Sequence, residues 1–375
     1  MDNLIFSLDT LEWAANNISL QLKDVVPKIS PSAKTQAKLL EGKFSAAQAE
    51  KLAKITKVPF GTLFLDTPPT LYKPSVPDLR QKQNAEPLGE HFYEVLKDIK
   101  NKQDWYVEFL QEHGAEELKF VGKFEGINLA EYELVANDIR STLNIAKIKR
   151  NSTNRDNYLK LLIERCEDAG ILIFKNGVVK NASTKTLDIS EFRGFVLIDK
   201  YAPVVFLNGR DAPSALVFTL AHELAHIWLG ISGVDDLDIY GNDPTEVLCN
   251  KIAAEVLVPK LEFFKYWDFF NEDLSEIAQH FYVSKLMISR VALTHGKISK
   301  SLYKELHDFE FEKFKKNRDA EIGKGGNFIN MVPGRNSPLL TKTVVNQALS
   351  GNILLRDAGK LLNVSPQNIL KLGGF

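Results

Sequence analysis

His222-Glu223-Leu224-Ala225-His226 sets two imidazoles four residues apart, with a carboxylate directly after the first. On a helix, positions i and i+4 share a face, so both rings can reach one point. Neutral imidazole nitrogens at about 2.0–2.1 Å suit Zn²⁺. From its position Glu223 reaches a water at such a metal, not the metal itself, which is the place of a general base. Three fixed letters recur by chance, so the flanks decide how much the motif says. Phe218, Ala221, Ala225 and Leu229 keep helical spacing around it, and Gly230 offers a stop. Two histidines and a glutamate buried without partners in so apolar a helix would cost several kcal/mol, and a bound metal removes that cost.

A catalytic zinc needs a third protein ligand and an open fourth position. No histidine follows Gly230 at a useful spacing. Glu246 opens the next helix, just after the loop returning from the first, and is the expected ligand. Glu255 on the same helix is the competitor, or else a solvated carboxylate or one that braces a ligand. Asn250, one turn after Glu246, shares its face and is a further bracing candidate. Starting signals for the histidine helix are Asp211, Pro213 and Ser214, and Pro259 closes the Glu246 helix.

The elements that must hold these residues lie in a chain of 375 residues, long enough for two or three domains. With 44% hydrophobic and 25% charged residues it is a globular mix, not a disordered or fibrous one. The net charge of -1 provides no general field for nucleic acid. Cys166 and Cys249 alone exclude a disulfide framework and a cysteine-rich zinc module. Met1-Asp2-Asn3-Leu4 lacks a basic leader pattern, and no run of 18 apolar residues exists. The expectation is a cytoplasmic protein with no membrane partner.

Residues 1–66 read as short helices with tight joints. One is ended by Pro27; the next is opened by Ser30-Pro31-Ser32 and stops at Gly42; Ser45 caps another. Seven lysines and two glutamates between Lys28 and Lys57 leave a local excess of five positive charges. Four prolines in the dozen residues from Asp66 mark a linker over 67–86. Helical spacing resumes from 87, and after Gly170 come short apolar runs of strand length, Ile171–Phe174, Phe195–Ile198 and Pro203–Leu207. Beyond 273 the chain is again helical. The expected division is therefore a helical module at 1–66, a linker at 67–86, a catalytic domain with helical lead-in at 87–298, and a helical C-terminal region at 299–375.

Thr219-Leu-Ala-His-Glu-Leu-Ala-His, followed by Glu246-x-x-Cys249-Asn250-x-x-Ala253-Ala254-Glu255-x-Leu257-x-Pro259, resembles the ImmA/IrrE family of metallo-endopeptidases. Cys249 stands where that family usually has alanine; both are small and fit close helix packing. The strands before the zinc helix, and Val58-Pro-Phe-Gly-Thr-Leu-Phe-Leu, are similar as well, so the resemblance spans roughly 8–295. It implies an α+β fold: a helical N-terminal module, a zincin-like core of a small sheet with zinc helices, and a helical C-terminal region. It implies ligands His222, His226 and Glu246 and the catalytic Glu223. It also implies zinc-dependent regulatory proteolysis of a repressor or neighbouring-gene product, as in toxin–antitoxin or stress circuits. In such a mechanism zinc polarises a peptide carbonyl and acidifies water, Glu223 carries the proton to the leaving amine, and a strand, here Pro203–Leu207, aligns the substrate.

The N-terminal module resembles an XRE-type helix-turn-helix. Lys28, Lys34, Lys38 and Lys43 suit phosphates, and Thr35 and Gln36 suit base edges, though no arginine is present for guanine. Val283-Ser284 also resembles a helix-turn-helix turn, with packing against the core as the plainer reading. The second functional expectation is a DNA-binding or antitoxin-like regulator whose metal site is structural or vestigial.

Overall fold

A computed structural model describes residues 4–16, 20–56, 58, 60–68, 88–235, 243–318 and 328–374. The chain divides into two compact units, 1–73 and 74–375. Most of the linker expected at 67–86, from residue 69 onward, lies outside the described residues.

The first unit runs β1 (Leu4–Ile5), α1 (Leu8–Asn16), α2 (Leu22–Ile29), α3 (Ala33–Leu40), β2 (Lys43–Phe44), α4 (Ala46–Thr56) and a 3-10 turn at Phe60–Phe64. Leu11, Val25, Val26, Leu39, Phe44, Leu52 and Leu63 form its core. Pro27 does not end its helix as expected: α2 continues to Ile29. The helix stops two residues later anyway, and the carbonyl Pro27 cannot serve belongs to Lys23, an exposed residue that water can satisfy. The α2–α3 joint is thus Ser30-Pro31-Ser32 alone. Gly42 is required by a close approach: its φ is +79°, and a β-carbon there would lie 2.5 Å from the Phe6 carbonyl oxygen. Ser45 and Gln48 cap α4 reciprocally, each side chain accepting the other's backbone N–H.

The second unit begins with α5 (Glu90–Glu112), α6 (Tyr132–Thr142), α7 (Ile145–Asn151) and α8 (Arg155–Asp168). Then come β3 (Leu172–Asn176), β4 (Gly194–Leu197), β5 (Val204–Asn208), α9 (Pro213–Leu229), β6 (Gly233–Asp235) and α10 (Pro244–Leu257). It ends with α11 (Lys260–Phe269), α12 (Leu274–His280), α13 (Lys285–Thr294), α14 (Lys300–Arg318), α15 (Phe328–Arg335), α16 (Pro338–Leu349), α17 (Leu355–Leu361) and α18 (Pro366–Leu372).

The sheet order is β3-β5-β4-β6, parallel between β3 and β5 and antiparallel elsewhere. Period-two alternation divides its side chains between two cores. Ile173, Val196, Val205 and Leu207 face a core with α6 to α13. Leu172, Phe174, Phe195, Leu197, Val204 and Phe206 face a second core with α5 and α16 to α18. The architecture is α+β, a small sheet between two helical layers. The region expected to stand apart from 299 onward instead shares the sheet's packing: Leu340, Val344, Ala358 and Ile369 complete the second core. The expected substrate strand Pro203–Leu207 is corrected by the topology. It is β5, paired on both sides, so its backbone has no edge to offer. Among the described residues, β6 is the strand beyond β4 and bounds the sheet on that side.

Candidate metal centre

Three features fix α9 in place. Pro213 sits at its first position and Gly230, at φ +74°, closes it. Asp211 does not cap this helix as its sequence position suggested. Its carboxylate pairs with Arg193 at 3.2 Å and accepts the N–H of Ala212, and Ala212 is the cap residue. At the far end, the carbonyls of Ile227 and Trp228 accept the N–H groups of Gly122 and Phe124 at 2.9 and 3.0 Å. Trp228 stacks on Phe120 and donates to Asp138 at 2.8 Å. The last turn, which carries His226, is thereby tied to the 118–127 segment.

The helix α10 starts two residues before Glu246. Asp243 caps it, accepting the N–H groups of Thr245 and Glu246. Pro244 follows in the first turn. The cap places Glu246 against the histidines. His222 Nε2 and His226 Nε2 lie 3.1 Å apart. Glu246 Oε2 is 3.1 Å from His222 Nε2, and its Oε1 is 3.4 Å from His226 Nε2. Burial disfavours the charge of Glu246, but the two imidazoles outweigh it and hold the carboxyl well below the usual range. Ligand atoms 2.0–2.1 Å from a tetrahedral zinc stand about 3.3 Å from each other. The donor set therefore fits a metal ion in both chemistry and spacing.

Asn250 Oδ1 lies 3.1 Å from His222 Nδ1. Glu255 does not join the cluster: its carboxylate accepts the Lys260 N–H beyond the end of α10. Glu223 is fully buried. Its carboxylate rests against Gly194 at the start of β4, where a β-carbon would fall 2.8 Å from Oε1. Neither Gly194 nor Cys249 was read from the sequence as part of the site. The signal for Gly194 was a glycine opening an apolar strand; for Cys249 it was a thiol three residues after the expected ligand. His222, His226 and Cys249 each bring a ligand atom within 4.8 Å of the other two.

In the first unit, Lys34 and Lys38 are exposed on α3, and Thr35 and Gln36 are half-buried. The Gln36 amide donates to the Ser30 carbonyl at 2.9 Å and so braces the α2–α3 joint. Lys43 pairs with Glu41.

Residues 166–291 match the family model described as Peptidase_M78, the IrrE N-terminal-like domain. This segment is an ImmA/IrrE-family domain. It runs from α8 into α13 and contains both histidines, Glu223 and Glu246. The ImmA/IrrE match supplies a metallopeptidase-type function and is narrower than the expected span of 8–295. Residues 336–374, covering α16 to α18, match a domain of unknown function (DUF8813). Neither match reaches the first unit. No curated protein and no solved structure matches the chain.

Proposed function

We propose that the chain is a zinc-dependent endopeptidase that cleaves a protein partner, a repressor or the product of a neighbouring gene. The observation that carries this reading is the convergence of His222 Nε2, His226 Nε2 and the Glu246 carboxylate within 3.1–3.4 Å, with Glu223 next to the first histidine. Two imidazoles and one carboxylate suit zinc. When bound there, zinc supplies Lewis acidity to a peptide carbonyl and to water. His222, His226 and Glu246 hold it. Glu223 takes the proton of the attacking water and delivers it to the amide nitrogen that leaves. A substrate in extended form would lie along β6 rather than β5.

The test is Glu223→Gln, which keeps size and removes the base. The variant should retain its metal and its melting temperature and lose hydrolysis of the partner by about 10²- to 10⁴-fold. Cleavage at the wild-type rate would refute the reading. His222→Ala should lose the metal.

A second reading, a binding regulator whose metal is structural, is favoured by one observation. His222, Glu223, His226 and Glu246 are each no more than 2% exposed, whereas a working site needs an open coordination position.

A further inference from the structure

We infer that Cys249 is a fourth ligand of this metal and holds the site shut, a regulation that rests on the metal reading above. Cys249 follows Glu246 by three residues on α10, so the two side chains leave the helix on neighbouring positions of one face. The Cys249 side chain is fully buried, and its sulfur shares a 4.8 Å cluster with ring nitrogens of His222 and His226. Around a tetrahedral zinc, with Zn–S near 2.3 Å, a nitrogen and a sulfur ligand stand about 3.6 Å apart. The 4.8 Å within which the sulfur and the two ring nitrogens fall is wider than that spacing, so the sulfur moves inward as it completes the set.

An independent feature points to the same place. Among the described residues, Glu246 Oε1 is a buried carboxylate oxygen with no hydrogen-bond donor other than the histidines it faces. A buried charge in that setting calls for a cation.

Four donors from one helix pair, two nitrogens, one oxygen and one sulfur, fill the preferred coordination of zinc. As the sulfur binds, the thiol gives its proton to solvent. A thiolate in the fourth position leaves no place for water or a peptide carbonyl. The chain is then a peptidase kept latent from within its own ligand helix. It opens when the sulfur withdraws and takes back a proton. The same residue reconciles a catalytic motif with the burial of all its members.

Cobalt(II) titrated into the metal-free full chain tests this directly. The wild type should take up a single cobalt and show the intense near-ultraviolet absorption of a sulfur–cobalt bond. Cys249→Ala should still take up cobalt, lose that absorption, and release zinc at least about tenfold more readily. Cys166→Ser should keep the absorption, because Cys166 is buried in the core around α8. A full cobalt complement in the wild type without the sulfur band, or a band that survives Cys249→Ala, overturns the inference and leaves the metal site standing. Failure of the wild type to bind cobalt at all overturns both.

Discussion

Gly194 on β4 and Glu223 on α9 stand so close that a β-carbon at 194 would lie 2.8 Å from the Glu223 Oε1 atom. The same β-carbon would meet the Phe206 carbonyl oxygen and the Thr219 Cγ2 at 2.9 Å. Strand and helix can approach this far only over a residue without a side chain.

Gly194→Ala should therefore destabilise the fold by about 1–3 kcal/mol, the usual scale of overpacking. The Phe206 oxygen belongs to the backbone of a central strand and cannot retreat. The carboxylate of Glu223 can, so hydrolysis should fall together with stability. Thermal denaturation and a turnover assay on one preparation check this; an alanine variant unchanged in both would show that the contact carries no constraint.

The 3.1 Å contact from His222 Nδ1 to Asn250 Oδ1 sets which nitrogen keeps its lone pair. The amide oxygen accepts, so Nδ1 carries the hydrogen and Nε2 faces Glu246 as the ligand atom. Asn250→Ala should lower metal affinity about 10- to 100-fold without unfolding the chain. A zinc competition titration against a chelating dye measures it, and equal affinity in both proteins would remove Asn250 from the account.

Glu167, at the end of α8, carries a second expectation about protons. It accepts the Ile173 N–H at 2.7 Å, the Leu339 N–H at 2.7 Å and the Ser337 hydroxyl at 2.9 Å. Burial nevertheless outweighs these bonds and lifts the carboxyl from 4.5 to about 7. With the folded value above the unfolded one, the native state binds more protons between about pH 4.5 and 7. Stability from this group is present below the unfolded value and is lost as pH rises through 7, by at most ~3 kcal/mol. The melting temperature should fall from pH 5 to pH 8, and Glu167→Gln should flatten that slope. An identical pH profile in the variant would assign the dependence elsewhere.

For the first unit we propose duplex DNA as the partner, through Lys34 and Lys38 on the exposed side of α3. Each phosphate contact releases counterions, so replacing both lysines by Gln should weaken binding to all sequences alike. It should also flatten the dependence of log K on log salt by about 2. Mobility shifts of the full chain at several salt concentrations provide the measurement. Equal slopes would favour a docking role for this unit.

The convergence of His222, His226 and Glu246 was legible where chemistry dictates spacing. The four-residue repeat of His222 and His226, and the glutamate opening the next helix, are one-dimensional signals of a shared face. Strands β3, β4 and β5 were legible as apolar runs, whereas β1, β2 and β6 were not, and the strand order was not: nothing local in Pro203–Leu207 says that two other strands flank it. Gly194 and Cys249 escaped for a related reason. A glycine and a cysteine read as small residues until a neighbour from another element, here Glu223 or the histidine pair, gives them a contact. Asp211 looked like a cap because it precedes Pro213, and Arg193, eighteen positions earlier, takes its carboxylate instead.

The second face of the sheet is covered by α5 from one side of the sequence and by α16 to α18 from the other. That layout sets the order of events during synthesis. Strands β3 to β5 leave the ribosome with Leu172, Phe174, Phe195 and Phe206 bare on one side, and α5 alone is on hand to shield them. The rest of the cover ends near Ile369, some 160 residues after β5 closes at Asn208. The sheet cannot finish folding before α16 to α18 have been made, and a chain cut before α16 would carry a permanently sticky phenylalanine surface. Helices α16 to α18 act as a completeness check: only a chain that includes them buries this face of its sheet.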